Sequence, residues 1–302
     1  MRPTPHTDWP MVVEVHGELV SVEEPSGDIR RCAVSPDAPF FPVIGDRVVV
    51  DEDGPRGRPV VVDAAPRQNR LARLRHDRTR RSDAGAEEHV LAANIDLAVI
   101  VVAAKRPPFH PRLIDRYLVL CQYGGIDAAV AVNKADLTDD LPDLSIYRDL
   151  GLPIVEVSAK THRGLDELRR LIDGKLVVFA GHSGVGKSSL VNALVGEAAA
   201  ETAEVGGKRG QGRHTTSVAT LHWLDDETGV VDTPGVRSLA MTGISPQELA
   251  GYFPEFLDLI PACRFRDCTH DHEPGCAVRE AAEAGEIPPA RYDSYLRLLR
   301  DD

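Results

Sequence analysis

Residues 181–188 carry the most specific chemical pattern in the sequence. They read Gly-His-Ser-Gly-Val-Gly-Lys-Ser and match the phosphate-loop pattern G-x-x-x-x-G-K-[ST], between a predicted strand ending at Ala180 and a predicted helix starting at Lys187. In such a loop, backbone N–H groups surround the phosphates, the lysine reaches the β and γ oxygens, and Ser188 ligates Mg²⁺. The predicted nucleotide-binding residues here are Gly181, His182, Ser183, Gly184, Val185, Gly186, Lys187, Ser188 and Ser189.

Two further segments follow predicted buried strands and can recognise a purine base. Asn133-Lys134-Ala135-Asp136 ends the predicted strand 128–132, at the sheet edge where α/β proteins bind ligands. An aspartate there can accept hydrogen bonds from both N1–H and the exocyclic amine of guanine, a pair that adenine does not offer. A backbone N–H in Ser158-Ala159-Lys160, after the predicted strand 154–157, can donate to guanine O6. The predicted guanine-binding residues are Asn133, Lys134, Asp136, Ser158, Ala159 and Lys160.

Two segments after the phosphate loop supply the other groups that a magnesium-bound triphosphate requires. Asp232-Thr233-Pro234-Gly235 offers a carboxylate to the Mg²⁺ shell and the Gly235 N–H to the γ-phosphate, and a threonine hydroxyl of Arg213-His214-Thr215-Thr216 completes the shell. Thr216 is preferred and Thr215 is the alternative. The predicted magnesium ligands are Ser188, Thr216 and Asp232. We expect segment 201–217 to be mobile until the γ-phosphate and Mg²⁺ order it.

Three of the five cysteines lie within 14 residues near the C-terminus, together with a histidine. Three thiolates and one imidazole complete a tetrahedral Zn²⁺ shell and leave no position open for water, so the sequence predicts a structural zinc site. The predicted ligands are Cys263, Cys268 and Cys276 with one of two histidines, His270 or His272. An odd number of cysteines without an export signal argues against a disulfide framework.

The distribution of charge predicts one local nucleic-acid surface. The formal net charge of −12 argues against a protein that coats nucleic acid with its whole surface. Seven arginines are nevertheless concentrated in one segment that contains a single acid, Asp77, and we interpret them as RNA-binding. They are Arg67, Arg70, Arg73, Arg75, Arg78, Arg80 and Arg81. A solvated, mobile linker is the alternative interpretation of this segment.

Hydrophobic periodicity predicts a multidomain chain. Short β-type runs between residues 11 and 63 indicate an N-terminal barrel of the oligonucleotide-binding type, with a sandwich fragment or an SH3-like barrel as alternatives. Alternating strands and helices then indicate an α/β domain, which ends in a mainly helical segment around the cysteines. The predicted boundaries are 1–65 for the barrel, 66–94 for an arginine-rich linker, 95–240 for the nucleotide domain and 241–302 for the zinc-binding domain. The longest apolar run, Leu97 to Ala104, is too short to span a membrane, and the first eight residues hold no signal-like stretch, so we expect a cytoplasmic protein.

The motifs occur in a circularly permuted order, because the guanine motif at Asn133 precedes the phosphate loop that it follows in Ras-like GTPases. Together with Gly45-Asp46-Arg47-Val48, Gly212-Arg213-His214-Thr215-Thr216 and Cys263-x4-Cys268-x-His270-x5-Cys276, this order makes nearly the whole chain resemble the ribosome small subunit-dependent GTPase A family of bacterial ribosome-assembly factors. The resemblance implies an N-terminal oligonucleotide-binding barrel, a permuted GTPase domain and a C-terminal zinc domain. Its spacing favours His270 over His272 as the fourth ligand, beside Cys263, Cys268 and Cys276. It also implies a role late in small-subunit maturation, with GTP hydrolysis stimulated by that subunit and used to time release.

Two other functions compete with this interpretation. A metal-handling GTPase would use the cysteine cluster to pass zinc on, but closed four-ligand coordination argues against it. A small-molecule phosphotransferase is disfavoured because the base-specific pair Asn133 and Asp136 suits a regulated switch. The expected partners are GTP and GDP, the small ribosomal subunit and its rRNA, and no membrane, and the expected oligomeric state is a monomer.

The group that orients the catalytic water is left open by the sequence. Ras-like enzymes place a glutamine just after the Asp-x-x-Gly motif, where this chain has Val236. Either His214 acts as the catalytic residue or the ribosome supplies or positions the missing group. A further alternative is that His214 only holds the switch segment.

Overall fold

The computed structural model describes residues 8–54, 57–75, 87–205, 219–232 and 244–300. Within these residues an 11-stranded mixed sheet runs through two N-terminal domains, and a separate two-stranded sheet and a helical C-terminal domain pack beside it. No helix in the described ranges combines the length and the apolar character needed to cross a bilayer.

Five short strands form the N-terminal domain, and valines fill its core. β1 to β3 pair antiparallel in chain order, β3 pairs parallel with β5, and β5 pairs antiparallel with β4. A bridge between Met11 and Arg47 and a 2.9 Å hydrogen bond from the Val48 N–H to the Pro10 carbonyl bring β4 back to β1. This closes a five-stranded ring, as the sequence predicts. The strands are β1 Met11–His16, β2 Leu19–Glu23, β3 Ile29–Val34, β4 Val48–Asp51 and β5 Val60–Ala64.

The segment predicted as a linker contains a β-hairpin, so that prediction is wrong for its described part. β6 (Arg70–Arg75) pairs antiparallel with β7 (Glu87–Ala93). Leu71 and Ala92 are almost fully buried, because one face of the hairpin packs toward the core of the nucleotide domain. Because arginines separate the apolar residues of β6, the sequence shows no hydrophobic run that would indicate this face.

The nucleotide domain has the strand order β10-β9-β8-β11-β13-β12, in which only β12 is antiparallel to its neighbour. All seven residues of β8 are buried, as expected for a central parallel strand covered on both faces. The strands are β8 Leu97–Ala103, β9 Asp127–Asn133, β10 Ile154–Glu156, β11 Leu176–Ala180, β12 Ala219–Trp223 and β13 Gly229–Asp232. The helices are α1 Pro111–Gly124, α2 Ser145–Asp149, α3 Leu165–Ile172 and α4 Lys187–Val205.

The barrel and the nucleotide domain share one continuous sheet. β1 pairs antiparallel with β12, with Glu14 opposite Thr220 and Val15 opposite Ala219. The Trp223 indole N–H donates a 2.6 Å hydrogen bond to Glu23 on the barrel. The junction between the barrel and the nucleotide domain therefore includes β12, the strand that follows segment 201–217, which is the predicted switch segment.

The C-terminal domain packs around an aromatic core. It contains α5 (Pro246–Ala250), α6 (Ala277–Ala284) and α7 (Pro289–Leu299). Phe253, Phe256 and Tyr295 are fully buried, and their ring centroids lie 5.0–5.2 Å apart. Tyr295 on α7 therefore packs in the core of this domain together with Phe253 and Phe256.

A buried ion cluster fixes this domain against α1. Arg291 on α7 is 3% exposed and pairs with Asp115 on α1, which is 1% exposed, and with Glu255. The guanidinium also lies 4.5 Å from the centroid of the Phe253 ring. The cluster thus joins residues 176 positions apart in sequence.

Candidate nucleotide site and metal centre

The phosphate loop begins directly after buried strand β11, and its glycines are required by close approaches of other chain segments. Gly181 has φ +143°, and a Cβ there would lie 2.3 Å from the Val101 carbonyl oxygen. Gly186 has φ +96°, and a Cβ there would lie 2.4 Å from the Asn133 side-chain nitrogen. The loop is therefore packed between β8 and the guanine motif, and α4 begins immediately after it, as predicted.

Lys187, the first residue of α4, directs its ammonium group back over the loop. Its Nζ donates hydrogen bonds to the carbonyl oxygens of Gly181 at 2.6 Å and His182 at 2.9 Å. The charge is thus held over the loop at the N-terminal end of the helix, where it can meet phosphate oxygens. Ser188 and Ser189 are on the first turn of α4, and both are exposed.

Asn133 joins the guanine motif to the other two nucleotide motifs. Its side chain is 1% exposed, and its Nδ2 donates a 2.9 Å hydrogen bond to the Val185 carbonyl in the phosphate loop. Its Oδ1 accepts a 3.2 Å hydrogen bond from the Ala159 N–H. One buried amide therefore sets the spacing between the phosphate loop and the segment predicted to contact the guanine.

Lys134 and Asp136 are positioned by contacts within the same pocket. Lys134 has a left-handed backbone, with φ +62°, and its Nζ donates to the carbonyl oxygens of Gly184 at 2.6 Å and Arg106 at 2.5 Å. The Ser158 hydroxyl, which is fully buried, donates a 2.7 Å hydrogen bond to Oδ1 of Asp136. This bond orients an exposed carboxylate at the carboxyl end of β9, as required to read a base edge.

The structure brings together the phosphate loop, Asn133, Lys134, Asp136 and Ser158–Ala159. Lys160 follows this pair and is exposed. The backbone of Asp232 ends β13, beside β11. Predicted residues Gly235, His214, Thr215 and Thr216 lie outside the described residues, as does the predicted mobile segment after position 205. The first five residues of that segment continue α4.

The backbone carbonyl of Arg106 is a contact that the sequence did not indicate. It accepts a hydrogen bond from Lys134, and Pro107 next to it lies 3.9 Å from the position of a Cβ on Gly184. The loop after β8 thus supports the phosphate loop. A backbone acceptor carries no signal in the side-chain pattern, so motif reading could not find it.

The predicted zinc ligands converge in the C-terminal domain. The ligand atoms of Cys263, Cys268, His270 and Cys276 all lie within 4.8 Å of one another. Nδ1 of His270 lies 3.5 Å from Sγ of both Cys263 and Cys276. His270 is 2% exposed, whereas the alternative His272 is more exposed and stands outside the group.

Hydrogen bonds to the backbone hold this ligand loop in place. The Tyr292 and Tyr295 hydroxyls donate 2.6 Å bonds to the carbonyls of His270 and Thr269. Burial raises the pKa of the Cys268 thiol to about 12, so a bound cation has to replace a firmly held proton. Three sulfurs and one imidazole nitrogen at this separation fit a tetrahedral Zn²⁺ shell.

The arginine segment differs from its predicted RNA-binding role in its first two residues. Arg67 forms hydrogen bonds of 2.9 and 2.8 Å to both oxygens of fully buried Asp46, and it lies 4.0 Å from the Phe40 ring centroid. Arg70 pairs with Glu88 across the hairpin. Both guanidinium groups thus form ion pairs within the fold. Arg73 is half-buried, the backbone of Arg75 ends β6, and Arg78, Arg80 and Arg81 lie outside the described residues.

Comparisons with known proteins agree with the permuted arrangement. Residues 64–242 match the RsgA GTPase family, and this range includes the hairpin. The chain is 40% identical to "Small ribosomal subunit biogenesis GTPase RsgA" of Chlorobaculum parvum over 301 residues, which cover 96% of each chain. It is also 40% identical to the protein of the same name in Pseudomonas putida over 299 residues, which cover 96% of this chain and 84% of the relative.

Two solved structures are similar over almost the whole chain. YjeQ from Thermotoga maritima superposes with a TM-score of 0.72 at 34% identity, covering 97% of each chain. YloQ, described as a circularly permuted GTPase, superposes with a TM-score of 0.69 at 26% identity, covering 100% of this chain and 97% of YloQ. The match is continuous from the barrel to the C-terminal helices, so the three parts occur together in these relatives. The chain therefore belongs to the RsgA GTPase family and is a GTP-hydrolysing enzyme.

Proposed function

We propose that this chain hydrolyses GTP on the maturing small ribosomal subunit late in assembly, that the subunit stimulates hydrolysis, and that hydrolysis times the release of the protein. The observation that carries the proposal is the similarity across 96% of the chain to proteins named for small-subunit biogenesis. The similarity includes the barrel and the cysteine-rich domain as well as the GTPase motifs. A shared nucleotide domain alone would support GTP hydrolysis but not the partner.

Each motif of the nucleotide site has a role in the proposed reaction. Asp136 accepts the guanine N1–H and amine, and the segment of Ala159 donates to O6. Lys187 neutralises the β- and γ-phosphates at the mouth of the loop. The proposed magnesium ligands are Ser188, Thr216 or Thr215, and Asp232. Mg²⁺ with GTP would neutralise the charge that develops on the phosphate oxygens.

The water-positioning group is either His214 or a group supplied by the subunit, because Val236 occupies the position of the usual glutamine. Slow hydrolysis by the isolated protein and faster hydrolysis on the subunit follow from both alternatives. His214→Ala separates them. An unchanged subunit-stimulated kcat assigns the role to the subunit, whereas a lost kcat shows that His214 either positions the water or holds the switch segment.

The metal centre is proposed to be structural. Four protein ligands complete the coordination of one Zn²⁺, and hydrogen bonds from Tyr292 and Tyr295 fix the loop that carries them. A domain stabilised in this way supplies a fixed docking surface next to the nucleotide domain. We propose that the barrel and this domain dock on the subunit. Further RNA contacts come from the arginines at 73, 75, 78, 80 and 81. The protein acts as a cytoplasmic monomer.

The permuted order gives a physical route from nucleotide state to the docking domains. β12 follows the segment of Thr216 and pairs with barrel strand β1, and the C-terminal domain follows the segment of Gly235. Arg291 additionally ties the C-terminal domain to α1. Rearrangement of the switch segments on hydrolysis therefore acts on both docking domains at their junctions.

The test is the GTPase rate with and without purified small subunits at several salt concentrations. The proposal predicts stimulation by the subunit and a steep loss of subunit binding as salt rises, because contacts to phosphates release counterions. A rate that the small subunit does not change, at any salt concentration, would contradict the proposed partner while leaving GTP hydrolysis intact.

A further inference from the structure

Three neighbouring side chains form an exposed tip on the metal-ligand loop. Arg264, Phe265 and Arg266 lie between ligands Cys263 and Cys268, and all three are exposed. The Phe265 ring is 41% exposed, and the Arg264 guanidinium lies 5.4 Å from its centroid. Neither the nucleotide site nor the aromatic core of the domain uses these side chains. We call Arg264–Arg266 the zinc-loop tip.

The backbone under the zinc-loop tip is fixed. The Arg264 N–H donates a 2.9 Å hydrogen bond to the Gly275 carbonyl, and the Phe265 carbonyl accepts a 3.4 Å bond from the Cys268 N–H in a tight turn. The Arg264 side chain lies over Gly275, where an added Cβ would come within 3.1 Å of it. An aromatic ring on a fixed turn loses little conformational entropy when it binds a flat partner.

The local charge of the zinc-loop tip differs from that of the whole protein. The tip carries two arginines, and the one adjacent acid is Asp267. Asp271, the next acid along the chain, pairs with Arg300 at 2.7 Å. The net charge of the chain is −12, so this positive tip with an aromatic centre stands out from an acidic surface.

We propose that the zinc-loop tip binds an unpaired RNA nucleotide, whose base stacks on Phe265 while Arg264 and Arg266 contact the flanking phosphates. Proteins recognise unpaired RNA bases by stacking them on aromatic rings and guanidinium planes, and each stacked base contributes measurably to affinity. The inference deepens the proposed function, on which it rests, because the RNA would be that of the small subunit. It assigns to the C-terminal domain a direct base contact rather than a purely protein-binding surface.

Substitutions at Phe265 separate stacking from general apolar contact. Phe265→Leu keeps an apolar side chain, and Phe265→Trp keeps a stacking ring. We expect Phe265→Leu to weaken binding of the full-length protein to small subunits by about 5- to 150-fold, the range that corresponds to one stacked base, and Phe265→Trp to bind like the original chain. Leu257→Ala, at a 50% exposed residue of the same domain, is the matched control and should bind normally. One bound zinc and an unchanged intrinsic GTPase rate confirm that each variant is folded.

Two further measurements identify the partner. A photoreactive phenylalanine analogue at position 265 should crosslink to rRNA, and a crosslink to a ribosomal protein would overturn the inference. Arg264→Gln with Arg266→Gln should reduce the slope of log K against log salt by about 0.7 for each phosphate that the two side chains neutralise in the original complex. An unchanged slope would show that the two arginines do not contact phosphates in the complex.

The outcome at Phe265 can be distinguished from failure of the proposed function. Binding of fluorescent oligouridine to the full chain measures the RNA affinity of the zinc-loop tip in the absence of the subunit. If Phe265→Leu weakens oligouridine binding although no variant binds subunits, the tip binds RNA and the proposed function is wrong. If the original chain binds and responds to subunits and Phe265→Leu does so equally well, the inference at the zinc-loop tip is wrong.

Discussion

The buried cluster around Arg291 provides a stability prediction whose magnitude follows from burial. Arg291→Met removes a guanidinium that is 3% exposed and leaves Asp115, at 1% exposure, without its positive partner. Breaking a buried pair by removing one member costs about 3–5 kcal/mol of unfolding free energy, because an uncompensated charge remains inside. We expect a loss of this size. The control Arg297→Met breaks an exposed i,i+4 pair with Asp293 and should cost less than about 0.5 kcal/mol.

The pH dependence of the Arg291→Met penalty tests its electrostatic origin. Burial raises the pKa of Asp115, and the Arg291 charge lowers it, so removing Arg291 raises that pKa further. An acid with a raised folded-state pKa holds its proton in the folded state at pH values where the unfolded chain has lost it. Stability of the variant therefore falls as pH rises through that range, and the penalty shrinks in acid.

Urea unfolding followed by circular dichroism at 222 nm measures the penalty, because the cluster joins α1 to helix α7. The comparison is made between pH 5 and pH 8 for the original chain and both variants. A penalty below about 1 kcal/mol for Arg291→Met, or one equal to that of Arg297→Met, would refute the assignment of the cluster as a buried ionic link. A penalty that is independent of pH would refute the role of the Asp115 charge.

Three further predictions concern the site and its junctions. Gly186→Ala should weaken GTP binding by at least about 10-fold in calorimetry, because the added Cβ would displace the Asn133 side chain and break its buried hydrogen bond. The control Gly196→Ala, in the interior of α4 with open space around it, should bind GTP normally. Cys268→Ser should abolish the proposed zinc binding and unfold the C-terminal domain, as measured by metal analysis and circular dichroism. GTP turnover by the original chain should release no zinc, and stoichiometric release during turnover would favour a zinc-transfer enzyme. Trp223→Phe should reduce stability by about 1–3 kcal/mol in urea, because Glu23 loses its indole donor at the barrel junction; an unchanged midpoint would show that strand pairing alone holds the domains.

The sequence indicated which motifs of the proposed nucleotide site lie together, because these motifs are tied to strand ends. Asn133 and Ser158 directly follow apolar runs that can only be buried strands, and parallel strands bring their carboxyl ends to one edge. The convergence of the four predicted zinc ligands was expected for a different reason, since four donors within 14 residues have few other uses. The structure places the preferred ligand His270, which has a left-handed backbone with φ +61°, inside the cluster and leaves His272 outside it.

Other features depend on distant parts of the chain and gave no local signal. The hairpin of β6 and β7 gave no hydrophobic run because Arg70 and Arg73 flank the buried Leu71 and Ala72, and Arg70 pairs with Glu88 on the other strand. Arg67 was interpreted as a free cation because its buried partner Asp46 lies 21 residues earlier. β3 has a weak strand pattern because Arg30 and Arg31 interrupt its apolar residues.

Base selectivity of the subunit-stimulated reaction tests the central claim most directly, since it requires the permuted motifs to form one guanine pocket. Asp136→Asn exchanges a carboxylate that accepts hydrogen bonds from guanine for an amide that can donate to the additional oxygen of xanthine. The account predicts that small subunits stimulate GTP hydrolysis by the original chain and xanthosine triphosphate hydrolysis by Asp136→Asn, with the preference reversed between the two. Equal selectivity in both proteins would contradict the assignment of Asp136 and, with it, the pocket.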